Sequence, residues 1–179
     1  MKRYMLLAAV VAACALLVGG AAWAGEEPVL AKAKMHNAEG EKIGYAVLTE
    51  GKDGVWIAFA IHSLPPGPHA FHIHAVGKCE PPFKSAGGHF NPFGRKHGLR
   101  NPEGAHAGDL QNILVSPDGT VAAVRLAPLV TMGEGNNSLF QPDGTAIVIH
   151  EGPDDYVSDP AGDAGARIAC GVIEKARAK

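Results

Sequence analysis

An all-β fold, a sandwich or barrel of short antiparallel strands, is what this 179-residue chain predicts, on three observations. Apolar residues alternate with polar ones in short runs, the period of a half-buried strand. Turn-forming Gly, Asn and Asp residues separate those runs, and no segment carries a helical period. The 23 Gly and 13 Pro weigh against helices, because both are poor in helix interiors.

The elements follow in order. Val29, Ala31, Ala33 and Met35 alternate with polar neighbours, Ile43, Tyr45 and Val47 do so again, and Val55, Ile57, Phe59 and Ile61 form a third run. Asn37-Ala38-Glu39-Gly40 and Gly51-Lys52-Asp53-Gly54 supply the tight turns between them. A fourth short strand is expected over residues 70–75, and later ones over 113–115, 121–126, 145–150 and 167–173. Pro117-Asp118-Gly119-Thr120 and Pro142-Asp143-Gly144-Thr145 are twin turns that start two of these. Eight such strands make a sandwich or a barrel. From residue 76 to 108 the alternation stops and Gly and Pro recur, leaving a loop far longer than usual connections. A bound metal would order a loop that has no core of its own.

The first residues read as a targeting device. Lys2 and Arg3 precede an apolar stretch, and Ala22-Trp23-Ala24 is a small-x-small cleavage site, so residues 1–24 are expected to be a secretory signal peptide and 25–179 one domain. Two other readings stay open: Val11-Ala12-Ala13-Cys14 as a lipidation site giving membrane attachment through Cys14, and an uncleaved anchor. Cleavage would remove Lys2 and Arg3 and no acid, moving the formal charge from -2 to -4. No basic stripe points to nucleic acid. Export to the periplasm or cell envelope makes Cys79 and Cys170 a disulfide pair, with two buried thiols as the alternative.

Five of the nine histidines lie in the 38 positions from His72 to Asp109, and a sixth candidate ligand of this type is His150. His72-Ile73-His74 on a strand puts both rings on one face, whereas a helix would turn them well apart. His72, His74, His89, His97, His106, Asp109 and His150 exceed the four ligands one zinc or copper takes, so either some are structural or there are two metals. Imidazole with one carboxylate and no thiolate suits zinc or copper(II).

The segments Gly67-Pro68-His69-Ala70-Phe71-His72-Ile73-His74, Gly87-Gly88-His89-Phe90-Asn91-Pro92, Arg95-Lys96-His97-Gly98, His106-Ala107-Gly108-Asp109-Leu110, Val148-Ile149-His150-Glu151 and Gly165-Ala166-Arg167-Ile168-Ala169-Cys170-Gly171 resemble, in order, the signature segments of copper/zinc superoxide dismutases. The resemblance implies an eight-stranded Greek-key β-barrel, an immunoglobulin-like sandwich architecture with long metal-binding loops. It implies an enzyme converting two superoxide anions and two protons to dioxygen and hydrogen peroxide, with one copper and one zinc per subunit. His72, His74, His89 and His150 then correspond to the copper ligands, and His89, His97, His106 and Asp109 to the zinc ligands, with His89 bridging. His89 would also carry a proton during turnover. Arg167 corresponds to the anion-guiding arginine, and Asp154 to a carboxylate that accepts hydrogen bonds from a copper-side and a zinc-side imidazole. His69 corresponds to a structural histidine; His36 and His62 match no ligand position.

The chain departs from the eukaryotic pattern and is similar to bacterial periplasmic members. Only 17 positions separate His150 from Arg167, and the acids and lysines that steer superoxide elsewhere have no clear counterpart. Lys78, Lys84, Arg95 and Lys96 remain as steering candidates, and a homodimer stays open. The other functional readings are a copper/zinc buffer on the same barrel and a zinc hydratase or cupin-type oxygenase. A cupin would need a glutamate soon after the H-x-H pair, and Glu80 is six residues past His74.

Overall fold

The computed structural model describes residues 30–176. The expected signal peptide, Cys14 and Val29 lie outside those residues. Three strands form a meander: β1 (Leu30–Asn37), β2 (Lys42–Gly51) and β3 (Gly54–Ile61). Burial alternates along them, with Ala31, Ala33, Met35, Leu48, Ile57 and Phe59 turned inward, as period 2 dictates. Asn37 makes the first turn itself, its carbonyl accepting from Gly40 and its Oδ1 from the Glu41 N–H at 2.8 Å.

Next come β4 (Gly67–His69), β5 (Phe71–His74), β6 (Ile113–Val115), β7 (Val121–Ala127), β8 (Ala146–His150) and β9 (Arg167–Lys175). The strands make a seven-stranded sheet in the order β5-β8-β9-β1-β2-β3-β7 and a β4-β6 pair. All these ladders are antiparallel. β6 packs beside β7, and β4 runs into β5 across Ala70, so the neighbours close on themselves. Non-consecutive neighbours of this kind are Greek-key connections, and the β4-β6 pair closes the barrel by packing while the outer edge of β5 stays unpaired by any strand among the described residues. The expected all-β barrel is therefore the fold. The fourth strand expected over 70–75 is β5, one residue shorter at each end, and β4 is a further short strand just before it, set off by Ala70. Pro68 lacks a ladder donor and is tolerated there because β4 pairs on one side only.

β5 and β8 are buried on both faces. Phe71, Ile73, Ile147 and Ile149 point into the main core, where Phe71 meets Phe59 edge to face at 4.8 Å between centroids. On the other face, Ala146 and Val148 pack with Phe83, Ala86 and Cys170. Burying a ring the size of Phe83 contributes about 1.5–3 kcal/mol. Phe83 and Ala86 come from the long loop, which thus has a small core after all.

That loop is also stitched to the edge of β5. Ile73 N–H donates to Gly108 O at 2.9 Å, Phe90 N–H to Ile73 O at 2.8 Å, and Ala75 N–H to Gly88 O at 3.0 Å. Gly108 lies so close that a Cβ there would overlap the Ile73 carbonyl. The segment is one 3-10 turn, Lys84–Ala86, amid irregular backbone. The β5 edge and the small core both order the loop, where the sequence pointed to a metal as the source of order; the edge groups need partners and the loop supplies them.

Candidate metal centre

Strand parity places His72 and His74 on the face of β5 opposite Phe71 and Ile73, beneath the loop. His150, the last residue of β8, joins them, and the loop delivers His89 beside His74 through a bridge pairing the two residues. His72, His74, His89 and His150 offer ligand atoms within 4.8 Å of one another.

Each ring is held by one nitrogen. His72 Nε2 donates to Asp154 Oδ2 at 2.9 Å, His74 Nδ1 to Gly87 O at 3.0 Å, His89 Nδ1 faces Asp109 Oδ1 at 2.8 Å, and His150 Nδ1 meets Gly165 O at 3.3 Å. The other nitrogens, His72 Nδ1, His74 Nε2, His89 Nε2 and His150 Nε2, are buried with no hydrogen-bond partner. Buried polar atoms without partners are costly, and four clustered lone pairs fit a bound transition metal. Fixing the far nitrogen sets the tautomer and the direction of the free lone pair.

Burial first, and then neighbouring imidazoles, push His74 down to about 2, His150 to about 3 and His89 to about 4. Hydrogen bonds to Gly87, Gly165 and Asp109 oppose the shift without cancelling it. These rings are neutral near pH 7, so a metal can bind them without displacing a proton, whereas a ring that is charged in the free protein must release one.

A second cluster surrounds Asp109. Its Oδ1 lies 2.8 Å from His89 Nδ1, 3.0 Å from His97 Nδ1 and 3.3 Å from His106 Nδ1. His106 Nδ1 is also 3.3 Å from His89 Nδ1. A tetrahedral zinc with ligands at 2.0–2.1 Å separates its ligand atoms by about 3.3 Å, so the spacing fits. Oδ2 is occupied separately, accepting from the Gly98 and His106 N–H groups at 2.9 and 3.0 Å. His72, His89, His97 and Asp109 also lie within 4.8 Å of one another. His72 turns Nε2 to Asp154 and leaves Nδ1 with the first set, so His106 completes the second.

Asp154 touches both sets: its Oδ1 accepts from His97 Nε2 at 3.1 Å while Oδ2 holds His72. Burial opposes ionisation of Asp109 and Asp154, yet hydrogen bonds from the surrounding imidazoles and backbone N–H groups hold both carboxyls well below the usual carboxylate range. Burial would lower His97, but hydrogen bonds to Asp109 and Asp154 outweigh it and raise the ring to about 9.

Arg167 pairs with His150 across β8 and β9. Its Nη1 donates to Phe83 O and its Nη2 to Gly87 O, each at 2.7 Å, and Gly87 O also receives His74 Nδ1. Burial lowers its pKa somewhat, but a guanidinium stays charged. The Phe83–Gly87 stretch is secured by a disulfide between Cys79 and Cys170, so the thiol alternative falls. Lys84 lies in that same stretch; Lys96 is engaged with Asp159 at 3.5 Å, and Arg95 stacks over Phe93. His69 sits between His150 O and Pro65 O, each at 2.8 Å, in keeping with a structural role. His36 lies on β1, and His62 is exposed against Ser63.

Sequence reasoning misses several supporting residues. Asp159 Oδ1 accepts the His97 N–H at 2.8 Å, Asn112 pairs with the Asp154 backbone, and Gly162 makes room beside Asp154. An isolated loop acid, amide or glycine has no periodic or spacing signal that would reveal it.

Residues 42–173 match the family described as copper/zinc superoxide dismutase (SODC). Two copper-zinc superoxide dismutases of Aquifex aeolicus (strain VF5) are each 59% identical, over 146 and 141 residues, covering 80% and 77% of this chain and 85% and 83% of theirs. A crystal structure of a superoxide dismutase-like protein from Bacillus subtilis superposes with a TM-score of 0.77 at 41% identity, covering 79% of this chain and 96% of that one. The copper/zinc superoxide dismutase of Brucella abortus gives 0.67 at 31% identity, covering 81% and 99%. With its barrel, its two ligand clusters and these likenesses, the chain belongs to the copper/zinc superoxide dismutase family.

Proposed function

We propose that this protein is a superoxide dismutase in which His72, His74, His89 and His150 hold copper and His89, His97, His106 and Asp109 hold zinc. The observation that carries it is the set of four buried, unpartnered ring nitrogens, one of which belongs to a ring whose other nitrogen faces the second cluster. When bound, copper supplies one-electron exchange with superoxide, and zinc supplies a fixed charge without redox change.

The chain's own residues do the rest. Arg167 presents a permanent positive charge next to His74 and His150 and attracts the small anion. His89 Nε2 has no other hydrogen-bond partner, so when it is not holding a metal it can take up a proton and give it back, while Asp109 and its neighbours keep the Nδ1 side fixed. Two superoxide anions and two protons leave as dioxygen and hydrogen peroxide. Asp154 keeps His72 and His97 oriented through its two oxygens.

The test is to load residues 25–179 with copper and zinc, count each per chain and assay superoxide removal. A fully metallated chain no faster than free buffer overturns the reading and favours the buffer alternative. Replacing Arg167 should slow turnover with both metals retained.

Export to the periplasm or cell envelope after cleavage of residues 1–24 is the location we propose, supported by the disulfide, which needs an oxidising compartment to persist. A lipid on Cys14 is the second reading, favoured by Val11-Ala12-Ala13-Cys14. Mass spectrometry of the exported chain separates an N-terminal Gly25 from a modified Cys14. A homodimer and a monomer both stay open for the assembly, and sedimentation at micromolar concentration separates them.

A further inference from the structure

Asp154 lies in irregular backbone between β8 and β9, so its carboxylate is aimed by whatever holds that segment. Asn112 does much of this. Its Oδ1 accepts the Asp154 N–H at 2.9 Å and its Nδ2 donates to the Asp154 carbonyl at 3.0 Å. Its own N–H donates to the Tyr156 hydroxyl at 2.9 Å. The remaining polar group, the Asn112 carbonyl, accepts from Arg125 twice, from Nη2 at 2.8 Å and Nε at 3.2 Å.

Arg125 belongs to β7, a strand of the seven-stranded sheet, and its Nη1 is fixed on Val124 O at 2.9 Å. The connection therefore runs from a rigid strand through Arg125 and Asn112 to Asp154. From there it divides to His72 and His97. The residue types suit the task. Only a carboxamide offers a donor and an acceptor side by side to a single residue's C=O and N–H, and a guanidinium fork puts two donors on one carbonyl.

We infer that Asn112, held from β7 by Arg125, is a positioning residue for the metal centre: it fixes the Asp154 carboxylate so that one side chain orients the rings of His72 and His97 together. The inference rests on the reading of those two rings as copper and zinc ligands. It makes the two metal sites respond jointly to a residue that touches neither.

The test uses the metal-loaded chain and four variants, Asn112→Ala, Asn112→Asp, Arg125→Gln and Arg125→Lys. Chelator competition gives the affinity for each metal, cobalt(II) replacing zinc reports the zinc-side geometry by its visible bands, and copper(II) electron paramagnetic resonance reports the other side. Asn112→Ala should weaken both metals about threefold or more, less than the loss of about tenfold or greater on removing a direct partner of a ligand, and alter both spectra. Asn112→Asp should not restore them, because it lacks the donor. Arg125→Gln should shift both spectra in the same direction by less, and Arg125→Lys should restore part of the shift.

A lower melting temperature with both affinities within twofold of the parent and both spectra unchanged overturns the inference. Where Asn112→Ala does not fold, Arg125→Gln decides in its place by the same criteria. A parent chain that takes up neither metal refutes the metal assignment itself, a result distinct from variants that bind as the parent does.

Discussion

His72 Nε2 donates to Asp154 Oδ2 at 2.9 Å, and this bond decides which nitrogen of His72 faces the other imidazoles. His74, His89 and His150 leave Nε2 free, whereas His72 leaves Nδ1. His74 rises from the same strand yet turns Nδ1 to Gly87 O, so the place of each ring's acceptor, not the strand, sets which nitrogen is free.

Asp154→Asn replaces one of the two accepting oxygens with an NH2 group, so His72 or His97 loses its acceptor. The affinity for copper or zinc, measured by chelator competition, should fall by about 10–100-fold. Unchanged affinity for both metals would show that Asp154 does not orient the ligands.

His150→Ala and His106→Ala should separate the two clusters, since each ring belongs to one set only. The first should lower copper content and abolish activity while zinc stays bound. The second should lower zinc content and leave copper bound. Metal analysis of each variant decides it, and equal loss of both metals in both variants contradicts the division.

Gly162→Ala should damage the centre from outside it. Gly162 has φ +66°, and a Cβ there would overlap Asp154 Oδ1 and lie 2.8 Å from His97 Nε2. The backbone conformation alone costs about 1–3 kcal/mol for a residue with a side chain. Denaturant unfolding should show that loss, and zinc should dissociate faster than from the parent. Parent-like values for both would remove any steric role for Gly162.

The metal-free protein should be acid-labile. His74, His89 and His150 titrate in the fold at about 2, 4 and 3, below the ordinary 6.5, so below pH 6.5 the unfolded chain binds more protons than the folded one. Their contribution is therefore complete above pH 6.5 and declines as pH falls, down to about 4 for His89, 3 for His150 and 2 for His74, by up to about 1.4 kcal/mol per pH unit for each ring. His97 has the opposite sign: raised to about 9, its contribution is present below 6.5 and is lost as pH rises through 9. Melting temperatures of chelator-treated protein should peak near neutrality and drop steeply below pH 6.5. A flat profile from pH 7 to 4.5 would contradict the buried, neutral state of these rings.

Much of this architecture is legible in the residues alone. The runs around Ala31 and Ile57 alternate as strands must and face as read; the run through Ile43, Tyr45 and Val47 is also a strand, but a bulge at Ile43 shifts its parity, so Ala46 and Leu48 enter the core while Tyr45 and Val47 stay half-buried on the other face. Gly67-Pro68-His69 carries no strand signal because Pro cannot donate to a ladder, yet it pairs with β6 where only one side is used. Phe83 and Ala86 carry no period, so the small core they build beneath the loop is invisible in the sequence.

By itself the sequence determined the strand pattern, the kinds of ligand and, through ordered segments, the family, because side-chain alternation and ligand spacing are properties of neighbours along the chain. Only the tertiary structure decided which nitrogen of each ring is free, that Asp154 reaches His97 and His72 across 57 and 82 positions, and that Asn112 and Arg125 stand behind it. Such hydrogen bonds arise when barrel closure brings distant segments together, and no local period records where closure will put them.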